Sequence, residues 1–289
     1  MCHGLRWRRV DRDFGSAEAW HHSLLLHVDT APMPQRVLVT AGGSGVGLAI
    51  AEAFAAAGDS VLVCDIDRSR LDQLAASGAI AVFEADVSAP GQVAQLFDHV
   101  QRELGGLDVL VNNAGTSGPT GPVESMSFDD WRQTLAVNLD SQFLCTRHAV
   151  PMLKEAGGGS IVNISSTAGL HGYPLRVPYA AAKWGVIGFT KTLAMELGTH
   201  GIRVNAICPG SVDGERMDRV VAAEARARGV SEREVRDGFV RQTSMKTFVR
   251  AEDVAALALF VCSDAGATIS GQALAVDGHT EGLGMSDMS

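Results

Sequence analysis

The chain has 289 residues, 46% of them hydrophobic and 20% charged, enough to bury the core of one large α/β domain without staples. A formal charge of −9 with no cluster of Lys and Arg argues against a nucleic-acid partner, because that binding is driven by concentrated positive charge. Cys2, Cys64, Cys145, Cys208 and Cys262 stand singly with no CxxC and no ligand spacing, so no metal is expected. Four of them sit in apolar segments, the pattern of reduced thiols in a cytoplasmic protein.

Residues 1–34 differ from everything after them. Arg6, Arg8, Arg9 and Arg12 are mixed with Asp11, Asp13 and Glu18, a poor match to the acid-free presequence of a mitochondrial protein. The apolar run at 23–28 is far below the ~20 residues a membrane span needs, and no membrane partner is expected. We expect an N-terminal extension, disordered or upstream of a natural start at Met33, and then a catalytic domain over residues 35–289.

From Arg36 onward, β-branched runs alternate with Ala-rich helical stretches. Residues 37–40, 60–64, 80–84, 109–112, 160–164, 203–207 and 272–276 read as strands. Residues 45–57, 69–76, 92–104, 128–155, 178–198 and 251–263 read as helices, with two shorter ones at 214–228 and 231–241. Continuous apolar strands joined by helices of this length predict a parallel sheet of about seven strands covered on both faces. Right-handed crossovers then give a doubly wound, Rossmann-type α/β fold.

After the first strand comes Thr40-Ala41-Gly42-Gly43-Ser44-Gly45-Val46-Gly47, leading directly into an apolar helix. Glycines let the main chain turn tightly and approach a pyrophosphate, and the helix start supplies free N–H groups. Glycine-rich turns also occur for packing alone, but strand, turn and helix here fall in the first βαβ unit. Asp65 ends the second strand, where a carboxylate accepts from ribose hydroxyls and repels a 2′-phosphate. NAD is therefore expected over NADP, with Arg68 and Arg70 as the residues that could argue otherwise.

Pro178-Tyr179-Ala180-Ala181-Ala182-Lys183 sets Tyr179 and Lys183 four residues apart on one helix face. A phenol ionising near ~10 is a poor base at neutral pH, and a nearby ammonium favours the phenolate. YxxxK alone also describes a surface pair. Ser166 ends a strand thirteen residues earlier, Asn112-Asn113-Ala114-Gly115 ends the central one, and Asn138 lies inside a helix where Asn needs a polar reason.

These residues in this order resemble the short-chain dehydrogenase/reductase family, in its compact single-domain branch, over about residues 36–278. The resemblance implies Tyr179 as general acid/base, Ser166 orienting the substrate oxygen, Lys183 on the nicotinamide ribose and Asn138 holding a relay water. It also implies a cofactor site formed by Gly42, Ser44, Gly45, Val46, Gly47, Asp65, Asp86, Val87, Asn113, Ala114, Gly115, Tyr179, Lys183, Pro209, Gly210 and Val212. Two positions depart from the pattern: Ala41 replaces a glycine, and Gly214 a threonine near the nicotinamide. A homotetramer is implied, with the Lys183 helix and residues 272–276 at interfaces and His279 and Glu281 near a neighbour.

The expected activity is NAD-dependent interconversion of a small polar or hydroxy-acid-like secondary alcohol and its ketone. A 3-oxoacyl thioester reductase would use the same residues, although such enzymes generally take NADPH, against which Asp65 counts. A catalytically silent dinucleotide sensor or scaffold is the alternative of another class. Among the arginines of 214–241, alternating acids predict a solvated surface for most, leaving one of them or Arg176 as a possible grip on an anionic substrate. His171 and Tyr173 fall where a pocket wall is expected.

Overall fold

The computed structural model describes residues 34–280; the extension, its Met33 start and Glu281 lie outside that range. The apolar runs form strands β1 Arg36–Thr40, β2 Ser60–Asp65, β3 Ala81–Glu84, β4 Val109–Asn112, β5 Gly159–Ile164, β6 Ile202–Pro209 and β7 Ala273–Val276. Every neighbouring pair is parallel, in the order β3-β2-β1-β4-β5-β6-β7. The order reverses between β1 and β4, which opens a crevice at the carboxyl ends of the strands.

Helices α1 Gly45–Ala56, α2 Arg68–Ala75, α3 Pro90–Leu104, α4 Phe128–Leu135, α5 Ser141–Glu155, α6 Val177–Leu197, α7 Glu215–Arg228, α8 Glu232–Arg241 and α9 Ala251–Cys262 complete the described elements. Strand alternation sorts the core into two layers. Val37, Val39, Val109 and Val111 pack with Ile50 and Phe54 of α1 and Val254 and Ala258 of α9. Leu38, Leu62 and Leu110 face the other way, onto Leu96 and Val100 of α3 and Cys145 and Leu153 of α5. Both faces of the sheet are thus covered, and the buried interiors of the two central strands, Val37–Val39 and Val109–Val111, are wholly apolar.

One long helix was expected over 128–155, and the structure corrects it. Residues Ala136–Asp140 form a π turn between α4 and α5. The Asn138 side-chain amide donates to the Thr134 carbonyl at 2.8 Å, the acceptor an α-helix would reserve for the main-chain N–H of Asn138. A side chain inserted into the ladder widens the turn, and such π bulges cluster at functional sites.

At the carboxyl edge a buried amide network joins the elements that carry the site. Asn112 donates to Asn163 Oδ1 at 2.9 Å and to Thr146 of α5 at 3.1 Å. Asn163 in turn donates to Thr190 of α6 at 2.9 Å.

Candidate active site

The glycine turn is held by β1 and the end of β4. Thr40 Oγ1 accepts from the N–H groups of Asn113 and Ala114, at 2.9 and 3.1 Å. The Asn113 side-chain amide donates to the carbonyls of Thr40 and Ala41, both at 3.0 Å. Asn113 therefore shapes the turn with its side chain. Gly47 lies so close beneath that an added Cβ would sit 2.3 Å from the Ala41 carbonyl oxygen and 2.4 Å from Asn113 Nδ2. No side chain caps α1, and Ser44 makes no capping bond, so the first N–H groups of the helix are left for an anion.

Ala41 itself has φ 49, the left-handed region that a Cβ disfavours. Its substitution for glycine is accommodated at the expense of local strain.

Asp65 is buried at the end of β2. Its Oδ2 accepts from Gly43 N at 3.0 Å and its Oδ1 from Asp67 N at 3.0 Å, which fixes a carboxylate beside the turn. Ile66, next to it, is 70% exposed and offers an apolar surface beside the carboxylate. Sequence reasoning passed over Ile66, because an apolar residue at a strand end reads as core. Arg68 pairs with Asp72 at 2.8 Å, and Arg70 with Asp67 at 3.1 Å and with Glu215 of α7 at 2.8 Å. Across the crevice, Val87 is buried and Asp86 Oδ1 accepts from Ser88 N and Oγ at 2.8 and 2.6 Å.

Ser166, Tyr179 and Lys183 converge beyond β5. Ser166 Oγ accepts from Ala168 N at 3.1 Å, which leaves its hydroxyl hydrogen for another acceptor. Lys183 is buried; its Nζ donates to the Ile164 carbonyl at 2.9 Å and lies 5.7 Å from the centre of the Tyr179 ring. Burial pushes the Tyr179 phenol up, but Arg216, Lys183, a hydrogen bond from Ser166, and Arg176 outweigh it and hold the phenol below its ordinary range. Burial likewise brings the Lys183 ammonium down to about 8, opposed by Tyr179. Each charge of this pair favours the other.

Asn138 is fully buried, and its amide also donates to the Thr116 carbonyl at 3.1 Å. Its Oδ1 has no partner. A Cβ built on Gly115 would meet that oxygen at 2.8 Å and Lys183 Nζ at 3.6 Å, so only a glycine leaves this space open. Val212 pairs with Val249 in a short parallel bridge, and Gly210 N donates to the β7 carbonyl of Val276 at 2.9 Å. His279, expected toward a neighbour, has Nδ1 2.5 Å from Ser244 Oγ of the same chain. Tyr173 packs against the apolar cluster of α7 and α8 that contains Val220, Val221 and Phe239.

Two arginines stand out. Arg216 reaches from α7 toward Gly115 and Tyr179, and Arg176 lies beside the Tyr179 ring, 5.2 Å from its centre. Arg219 and Arg233, by contrast, have largely exposed side chains, as the alternating acids predict.

The family model described as enoyl-(acyl carrier protein) reductase matches residues 40–280. The chain is 36% identical over 254 residues to a D-beta-hydroxybutyrate dehydrogenase of Rhizobium meliloti, covering 85% of this chain and 98% of that one. It is 37% identical over 246 residues to a D-threitol dehydrogenase of Mycolicibacterium smegmatis, covering 83% and 90%. A crystal structure of an actinorhodin polyketide ketoreductase variant with NADPH superposes with a TM-score of 0.81 at 33% identity, covering 88% and 98%. With the glycine turn, the sheet order and the Ser166–Tyr179–Lys183 cluster in place, the chain belongs to the short-chain dehydrogenase/reductase family.

Proposed function

We propose that this protein is an NAD-dependent oxidoreductase that interconverts a secondary alcohol and a ketone, with Tyr179 as general acid/base. The observation that carries the reading is the gathering of charge around one phenol: Lys183 Nζ and the Arg176 guanidinium carbon lie 5.7 and 5.2 Å from the centre of the Tyr179 ring, beside Ser166 at the end of β5, an arrangement that holds the phenol below its ordinary range. In oxidation Tyr179 takes the hydroxyl proton of the alcohol as the carbonyl forms; in reduction it returns one to the developing alkoxide. Ser166, whose hydroxyl is directed at the Tyr179 phenol, orients the same substrate oxygen. Lys183 keeps the phenolate favoured, and the orphaned Asn138 Oδ1 is suited to a water that refills the proton.

A bound nicotinamide dinucleotide supplies the hydride acceptor or donor. The residues fit it: the uncapped start of α1, with Gly42, Ser44, Gly45, Val46 and Gly47, would hold the pyrophosphate, and Asp65 the adenosine ribose. Asp86 and Val87 would border the adenine, with Ile66 opposite. Asn113, Ala114, Gly115, Tyr179, Lys183, Pro209, Gly210 and Val212 would line the nicotinamide end. A preference for NAD is supported by the Asp65 carboxylate and by the pairing of Arg68 and Arg70 with acids, which leaves neither uncommitted to a 2′-phosphate. Among the described residues no helix is long and apolar enough to cross a membrane. A homotetramer is supported by Phe143 of α5 and Trp184 of α6, both large, apolar and half exposed.

Tyr179→Phe tests the mechanism. Turnover of an alcohol found by screening NADH formation should fall by at least ~10²–10⁴-fold, while melting temperature and NAD affinity hold. Retention of most activity would end the assignment. NAD should exceed NADP in kcat/KM by at least about tenfold, or ~1.4 kcal/mol, and equal rates would remove the role given to Asp65.

A further inference from the structure

Arg176 is 2% exposed and sits at the N-cap of α6, three residues before Tyr179. The preceding Leu175 is held in the left-handed region, φ 63, and its carbonyl accepts from Gly121 N at 2.9 Å, so the loop is fixed where it turns the arginine inward. The guanidinium carbon lies 5.3 Å from the Tyr173 ring centre and 5.2 Å from that of Tyr179. Nη2 donates to the Ser117 carbonyl at 2.7 Å. Nε and Nη1 are buried without an acceptor, which leaves three N–H hydrogens unused.

Other arginines of the chain find carboxylates: Arg36 with Asp108, Arg70 with Glu215, Arg228 with Glu224. Arg176 forms no ion pair among the described residues, although it is the most buried of these four. A buried charge is normally paired, because removal from water is costly and two ring faces and one carbonyl offset only part of it. Lys183 and Arg216 also address Tyr179, so three cations converge on the phenol. A planar anion with lone pairs in its own plane completes this arrangement.

We propose that Arg176 is the receptor for a substrate carboxylate, so that the alcohol oxidised at Tyr179 is a short hydroxy acid. The inference rests on Tyr179 being the acid/base. The closeness of the guanidinium to the Tyr179 ring requires the carboxylate to lie near the carbinol along the chain. A neutral alcohol or an acyl thioester would leave Arg176 unpaired.

The test compares short 2- and 3-hydroxycarboxylates with their methyl esters and with matching hydroxyacyl thioesters, on the unmodified enzyme, Arg176→Gln and Arg176→Lys. The unmodified enzyme should favour the best acid over its ester by at least about tenfold in kcat/KM. Arg176→Gln should raise KM for the acid by a similar factor while KM for the ester holds, any change in kcat through the Tyr179 phenol being shared by acid and ester, and Arg176→Lys should restore part of the loss in acid KM. Equal use of acid and ester, or a parallel rise in both KM values in Arg176→Gln, would overturn the inference. Calorimetric titration of the acid and ester into Tyr179→Phe loaded with NAD gives a readout without turnover. Carboxylate-selective binding there that vanishes in Tyr179→Phe/Arg176→Gln supports the receptor even if the mechanism assigned to Tyr179 fails. Unselective binding removes the receptor and leaves that mechanism standing.

Discussion

Around the glycine turn, position is set by main-chain atoms in direct contact. Gly47 has no room for a methyl group, and Thr40 and Asn113 bond to main-chain N–H and C=O groups on both sides of the crevice. In α7 and α8 the corresponding positions are set by side chains on long stems. Arg236 pairs with Asp213 and Asp218, Arg70 with Glu215, and a small separate core of Val220, Val221, Ala225, Val235 and Phe239 holds the two helices together. The first design suits a ligand that is always the same, because a few short side chains fix main-chain groups in one geometry. The second suits a region whose chemistry is tuned to a substrate, since single side chains can be exchanged without moving the sheet.

The comparison is sharpened most by truncating one aromatic residue in each core. Phe54 of α1 is 1% exposed in the layer shared with β1 and α9. Phe54→Ala should cost about 3–5 kcal/mol of global stability in denaturant titration. Phe239→Ala in the small core should instead speed amide exchange in α7 and α8 well before the melting temperature falls comparably. Equal global losses would mean that the two regions unfold as one unit.

Next in size is the electrostatic link between them. Arg216 is the largest favourable charge on the phenol, and it comes from α7. With Arg216→Gln the Tyr179 phenol moves up. In the proposed mechanism the phenolate is the base for alcohol oxidation, so the rising limb of the pH–rate profile should shift to higher pH. An unshifted profile would detach α7 from the chemistry.

The smallest effect lies in the cradle. Ala41→Gly should relieve the left-handed strain, partly offset by the greater freedom of glycine in the unfolded chain, for a net gain of up to about 1 kcal/mol. In a domain of this size that is a rise of roughly 2–4 °C in melting temperature, measurable by calorimetry.

Legibility in the sequence follows the same division. The strands were readable to within one or two residues because a doubly covered sheet demands unbroken apolar runs. β6 runs on to Pro209, which a terminal strand position tolerates because Gly210 supplies the next N–H to β7. α3 begins at Pro90, a residue suited to a first turn. The placement of the glycine turn beside Asp65, and of Ser166 with Tyr179 and Lys183, was legible because each set combines residue types at a fixed spacing from a strand end or helix start. The π turn was visible only as an out-of-place Asn138. Arg176 could not be placed inside or outside, since its direction depends on the conformation of Leu175. The Arg70–Glu215 pair joins residues 145 apart, and no local pattern carries such a contact.

Asn112 and Asn163 face each other across β4 and β5. Parallel strands have no tight turn to set their alignment, and in these two the residues Val109–Val111 and Ile161–Val162 are nearly interchangeable in apolar character. With both faces covered, even a shift by one residue would keep apolar groups buried. It would also separate the two amides in a dry interior and turn Ser166 to the opposite face. The asparagine pair thus works as an alignment key. Out of several pairings that oil-like packing would accept, it selects the one that brings Ser166 and Asn113–Gly115 to the same edge.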